Sequence, residues 1–317
     1  MLPRRSLRIK VMQVLYSQFL GNESNAVRLE KSLNAHIQKS ENMYYIFMMY
    51  MVEICQYAIV DAAKRAAKHV PTEEDKNVNT DIASNQIIQL IKSDEKYNIE
   101  LSDRNLHGFI DKKLVRDLYK KLTATEKYQQ YIAKEKSRAN EADIIRYILK
   151  KIIGSSELLE ENLSEHFINL EDDHFICIHS LQKKVKEYGD SGDEKHFLAS
   201  SLLKMDKSED IAFAKELLAK CLQYDEELDS TIAPRLKNWD KDRVATLDMI
   251  LLTMAICEFM YFPFIPTKVT INEYIDISKE YSTQKSKDFI NGILDKTMRD
   301  LKEKGEIKKQ GRGLINN

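Results

Sequence analysis

Glycine and proline are scarce in this chain, nine and five among 317 residues, and that scarcity argues against an architecture of short strands and tight turns. No glycine-rich phosphate loop, nucleophile elbow, paired-histidine metal helix or glycine-rich cofactor loop after a strand is present, so nothing points to an enzyme or a cofactor. Cysteine is confined to Cys55, Cys177, Cys221 and Cys257, widely separated and mostly among apolar neighbours. That pattern excludes a disulfide framework and predicts reduced, buried thiols. His174, Cys177 and His179 have offsets that do not align on one helix face, and no second ligand pair follows, so no metal is expected. Neither sign of charge dominates. The formal net charge is −1, and any attraction for a polyanion must come from how charge is distributed.

Lys, Glu, Leu and Ile are abundant, and 43% of the residues are hydrophobic, enough to bury one large core or two modest ones. An all-α fold is the expectation. Met43 to Val60 and Leu247 to Phe264 are nearly continuous apolar runs, but Glu53 lies in the first and Asp248 and Glu258 in the second. Acids are costly at hydrocarbon depth, so both read as core helices, with no membrane partner. Near the N-terminus Gln13, Tyr16, Ser17 and Gln18 break any signal-peptide run, which predicts a cytoplasmic protein.

The hydrophobic period predicts a first helix over about 5–20, with Leu7, Val11, Val14, Leu15 and Phe19 on one face and Arg4, Arg8 and Gln13 toward another. A polar loop and short helix are expected over 21–40, then a long buried helix over about 42–68 stopped by Pro71. Further helices are expected at about 80–95, 111–123, 125–153 and 156–170. Gly154-Ser155-Ser156 and Asp190-Ser191-Gly192-Asp193 are the clearest breakers. Ser208 is placed to cap a helix with its stripe at Ala214, Leu217, Leu218, Cys221 and Leu222. Asp240 is placed to cap another over 241–259, and Trp239 and Val244 are spaced as a hydrophobic staple around it.

Charge is segregated. Arg4, Arg5, Arg8 and Lys10 open the chain without an acid, and Lys302, Lys304, Lys308, Lys309 and Arg312 make the other end basic. Between 155 and 173 lie Glu157, Glu160, Glu161, Glu165, Glu171, Asp172 and Asp173 with no Lys or Arg, a segment a polyanion should avoid.

Near the C-terminus, Pro266-Thr267-Lys268-Val269-Thr270-Ile271-Asn272-Glu273 reads as a helix start, with Thr270 and Glu273 at the spacing of a capping box. After the loop 281–285, Phe289, Ile290, Ile293, Leu294, Met298 and Leu301 form the stripe of a second helix ended by Gly305. Asn291 and Gly292 are poor helix formers inside it. Two readings stand: a neighbouring helix packs on Gly292 while Asn291 bonds to backbone, or the pair forms a polar recognition point beside an exposed Phe289. Tyr16 is similarly open between a core aromatic with a surface hydroxyl and a ring on which a base stacks.

The PxKVxINE and FxNGxLDK blocks, together with Arg4-Arg5-Ser6-Leu7-Arg8 leading into Gln13-Val14-Leu15-Tyr16, resemble the NusB family of bacterial transcription antitermination factors. The resemblance covers roughly 2–37 and 209–304, so 38–208 reads as a helical insertion of about 170 residues and 305–317 as a basic flexible tail. It implies a NusB-like helical bundle that binds a boxA-like single-stranded RNA of ribosomal RNA operons, together with the ribosomal protein NusE, in an RNA polymerase antitermination complex. The residues implied to bind RNA are Arg4, Arg5, Arg8, Tyr16, Lys285, Lys287, Phe289, Asn291 and Lys296. A NusB-like domain also occurs in RNA cytosine-5 methyltransferases, but their Rossmann-like half and their Pro-Cys or Thr-Cys motifs are missing here. The alternative is a helical protein-interaction scaffold whose inserted region carries the main function. A homodimer is compatible with either.

Overall fold

The computed structural model describes residues 2–21, 25–167, 170–195, 197, 209–236 and 244–314, with the side chains of 171 and 172 excepted. Among these residues there is no strand, and the fold is all-α. The chain opens with α1 (Arg4–Gly21) and α2 (Ala26–Ala66). Then come α3 (Glu73–Lys76), α4 (Gln86–Ser93), α5 (Glu95–Asp103), α6 (Lys112–Thr123), α7 (Glu126–Ala133), α8 (Arg138–Tyr147), α9 (Glu157–Ser164) and α10 (Leu170–Ser191). After these follow α11 (Glu209–Gln223), α12 (Asp225–Ile232), α13 (Thr246–Tyr261), α14 (Thr267–Tyr281) and α15 (Ser286–Glu303).

The chain divides into two compact units, one of residues 38–205 and one of 2–37 with 206–317. In the first, Met43 to Ala58 of α2 supply the spine of the core, with Tyr50, Met51, Ile54 and Cys55 fully buried. By length and composition α2 could cross a membrane, but its apolar run shares that core with Ile87 and Ile88 of α4, Leu118 and Tyr119 of α6 and Ile145 of α8. Leu149, in the π-helical turn Ile148–Ile153 that continues α8, is buried in the same core. Polar side chains in this unit are paired rather than excluded. Asp173 accepts a hydrogen bond from Ser40, and Arg104 reaches Glu41 at 3.1 Å, Glu100 at 2.7 Å and Asn42 at 3.0 Å. One member of the acidic 155–173 segment is therefore a core residue and not surface charge.

Several expected boundaries move. Residues 26–41 contain no glycine or proline, and they continue α2 where a loop and a short helix are expected. The stretch 125–153 is interrupted after Ala133, and Ser137 caps the restart by accepting from the Asn140 amide at 3.2 Å. α13 begins at Thr246 after a non-helical Ala245, later than 241. Ser208, Trp239 and Asp240, with the caps and staple expected there, lie outside the described residues.

In the second unit α1 packs on α11 and α13, and α13, α14 and α15 pack on one another. Leu7, Val11, Val14 and Leu15 are buried as their period predicts, whereas Phe19 at the end of the same stripe is exposed. The expected flexible tail is anchored at Lys309, Gln310 and the buried Gly313, while Leu314 is exposed. Lys309 Nζ donates to the Glu258 and Phe262 carbonyls at 2.9 Å each, closing the C-terminus of α13, and the Gln310 amide donates to the Pro263 carbonyl at 2.8 Å.

Candidate nucleic-acid interface

The three opening arginines have three different fates. Arg8 is 3% exposed: its Nε and Nη2 donate to the two Glu258 carboxylate oxygens at 2.7 and 2.9 Å, a bidentate fork. Thr270 Oγ1 and Tyr274 Oη donate to the same carboxylate at 3.1 and 2.8 Å. Burial pulls the Arg8 pKa down, but the charge and hydrogen bonds of Glu258 outweigh it and leave the guanidinium above its ordinary value. Burial, with Glu258 adding to it, pushes the Tyr274 phenol well up. Arg8 is thus a buried clamp turned to Glu258, not the solvent-facing phosphate contact expected of it.

Arg5 bridges Glu273 at 3.1 Å and Asp276 at 2.7 Å on α14, and Arg4 pairs with Asp210 on α11 at 2.8 Å. The Glu273 hydrogen bond is the main cause of the raised Arg5 pKa. Both guanidinium groups remain partly exposed. The expected capping box dissolves accordingly. Pro266 is the N-cap of α14 without a side-chain bond, Thr270 turns to Glu258, and Glu273 turns to Arg5.

The last helix divides its residues by face. Phe289 is 8% exposed and lies with Ile290, Ile293 and Leu294 on the buried stripe, so it is not the open stacking ring expected beside Asn291. Lys285, Lys287, Asn291, Gly292 and Lys296 are exposed. Among the described residues a Cβ on Gly292 would meet nothing within 4 Å, so no described helix packing on it explains this glycine. The helix offers solvent a strip of mixed charge, with Asp288 and Asp295 among its lysines and a bare notch at its middle.

In the same unit, Met12, Gln13 and Tyr16 of α1, Ala245 to Leu247 at the start of α13 and Tyr281 to Thr283 line a groove of about 570 Å³. Tyr16 is 38% exposed and is no core aromatic. The loop forming one wall is held by a residue that helix patterning did not single out as functional: Asp248, which accepts from Ser282 and Ser286 at 2.6 and 2.7 Å. Its signal, shared with Glu258, is a carboxylate inside an apolar run, a group that needs partners when buried.

The NusB family profile matches residues 181–299, opening within α10 and closing in α15. The transcription antitermination protein NusB of Chloroherpeton thalassium is 42% identical over 109 residues, covering 34% of this chain and 51% of that protein. Its namesake from Salinibacter ruber is 42% identical over 103 residues, 32% of this chain and 64% of that protein. A solved structure, NusB of T. maritima, shares 27% identity over 40% of this chain and 93% of its own, with a TM-score of 0.30. The chain thus spans between half and two thirds of the length of these curated relatives. Residues 181–299 are thus what this chain shares with the NusB family model, a match that opens inside the expected 38–208 insertion and not at 209.

Proposed function

We propose that this chain is a cytoplasmic, non-enzymatic transcription antitermination factor that binds a boxA-like single-stranded RNA of ribosomal RNA operons together with the ribosomal protein NusE, within an RNA polymerase complex. The observation that carries the reading is the NusB-family match at 181–299 combined with the exposed strip Lys285, Lys287, Asn291 and Lys296. Lysines on such a strip hold phosphates, Asn291 reads a base edge, and Tyr16 offers a ring at the groove of the same unit. Arg4 and Arg5 contribute only as far as phosphate competes with Asp210, Glu273 and Asp276. Arg8 and Phe289 act from beneath by holding α1 and α15 in place.

The test is binding of a boxA-like RNA and a scrambled strand to the full chain, with and without the ribosomal partner. Lys285→Gln, Lys287→Gln and Lys296→Gln together should flatten the log–log salt dependence by roughly 2, at about 0.7 per single-strand phosphate contact. Equal affinity for both strands in the partner's presence would end the reading.

A scaffold reading is favoured by one observation, the exposure of Leu158 on α9 and of Phe175 on α10, the latter 74% open, in the acidic region. Self-association independent of RNA and abolished by Leu158→Asp with Phe175→Asp would support it.

A further inference from the structure

A groove of cationic character lies wholly within the 38–205 unit, in residues that precede the NusB-family match. It encloses about 720 Å³, room for a nucleotide. One wall is a single stripe of α2, with Met49, Glu53, Tyr57, Val60 and Lys64 at helical spacing. Facing it are His107 and Ile110 of the preceding turn and Lys112, Lys113 and Arg116 from the start of α6.

The charges are not balanced within the groove. Asp111 uses its carboxylate as the α6 cap, accepting from the Lys113 and Leu114 amides at 2.7 and 3.3 Å, and Asp117 pairs with Arg116 at 3.0 Å. Neither Lys112 nor Lys113 has a salt bridge among the described residues, although the Lys113 charge helps hold the Asp117 carboxyl down, and Glu53 is an acid on the lining. Tyr57 leans on Tyr119 at 5.3 Å between ring centres, which holds its plane. The Lys64 ammonium donates to the Tyr57 hydroxyl at 3.4 Å and lies 5.4 Å from the ring centre, which leaves the ring face itself uncovered by it.

An aromatic ring with a displaceable ammonium at its hydroxyl edge, facing two exposed lysines that form no salt bridge among the described residues, is the arrangement that takes a base and its phosphate together. We propose that this groove binds single-stranded RNA, a base stacking on Tyr57 as Lys64 swings from the phenol hydroxyl to a phosphate shared with Lys112 and Lys113. An acidic peptide would use the lysines but gain nothing from the ring. The inference does not rest on the antitermination reading, because its residues lie in a different unit.

The experiment uses the full chain and a mixed-sequence RNA strand carrying 4-thiouridine. Photo-crosslinks are expected in 49–64 and 107–116, and Lys64→Gln, Lys112→Gln and Lys113→Gln together should remove them and flatten the salt dependence by roughly 2. Tyr57→Leu should weaken binding about fivefold or more, and Tyr57→Phe, which keeps the ring, should restore it. Crosslinks confined to residues 4–16 and 281–296 would overturn this proposal while leaving the NusB-domain reading intact. Polyglutamate competing better than RNA for the groove would also overturn it, assigning the site to protein.

Discussion

Arg8 and its two neighbours show how unequal three arginines in one turn can be. Removing a partner from a buried pair strands the other charge, so Arg8→Ala should cost roughly 3–5 kcal/mol in denaturant unfolding. Arg4→Ala and Arg5→Ala, at partly exposed pairs, should each cost less than about 1 kcal/mol. Equal losses across the three would refute the assignment of Arg8 to the core. Sequence spacing did not reveal this difference, because a guanidinium reads the same whether it faces water or a carboxylate 250 positions away. Phe289 is the opposite case. Its place on the apolar stripe already predicted burial, and packing follows the stripe rather than the role that family resemblance implied.

Helices were legible where period and breakers agree, as in α1, α6 and α15, and less so where polarity stood in for a breaker. Residues 26–41 are polar yet contain nothing that ends a helix, so α2 runs on. Thr270 and Glu273 have cap spacing, but long-range carboxylate and guanidinium partners claim both side chains. Of the candidate contacts, the lysines and Asn291 of α15 could be placed on an outward face from period alone; the groove beside Tyr16 could not, since its walls come from distant segments. Gly292 gives an element-scale test. With open space around it, Gly292→Ala should stabilise the protein by about 1 kcal/mol through helix propensity alone. If the same variant weakens RNA binding, the notch serves a ligand; unchanged binding would make Gly292 incidental to it.

At the scale of the whole molecule, stability against pH combines opposing groups. Burial lowers the Lys309 pKa to about 8, against the pull of Glu258. Between about pH 8 and the ordinary lysine value the unfolded chain holds more protons, so this group's contribution to stability rises with pH. Two thiols work the other way: Cys55 is pushed up by burial, and Cys221 by its hydrogen bond with Cys257 and then by burial. Their raised values make the folded state lose ground as the same thiols ionise in the unfolded chain. The total curve therefore hides each part, and the difference between wild type and Lys309→Met isolates one. That deficit should grow from about pH 7 to about pH 9.5 in denaturant titrations; a constant deficit would mean Lys309 does not titrate there.

The Arg8, Glu258, Thr270 and Tyr274 cluster also constrains how such a chain can drift over generations. Swapping both charges for aliphatic groups of similar size is often tolerable, but here it would orphan the buried Tyr274 hydroxyl at about 1–3 kcal/mol, whereas Thr270 keeps the Pro266 carbonyl at 3.4 Å. Arg8, Glu258 and Tyr274, on three helices, should consequently change together, and a lineage that loses one of them should be found to have replaced the others.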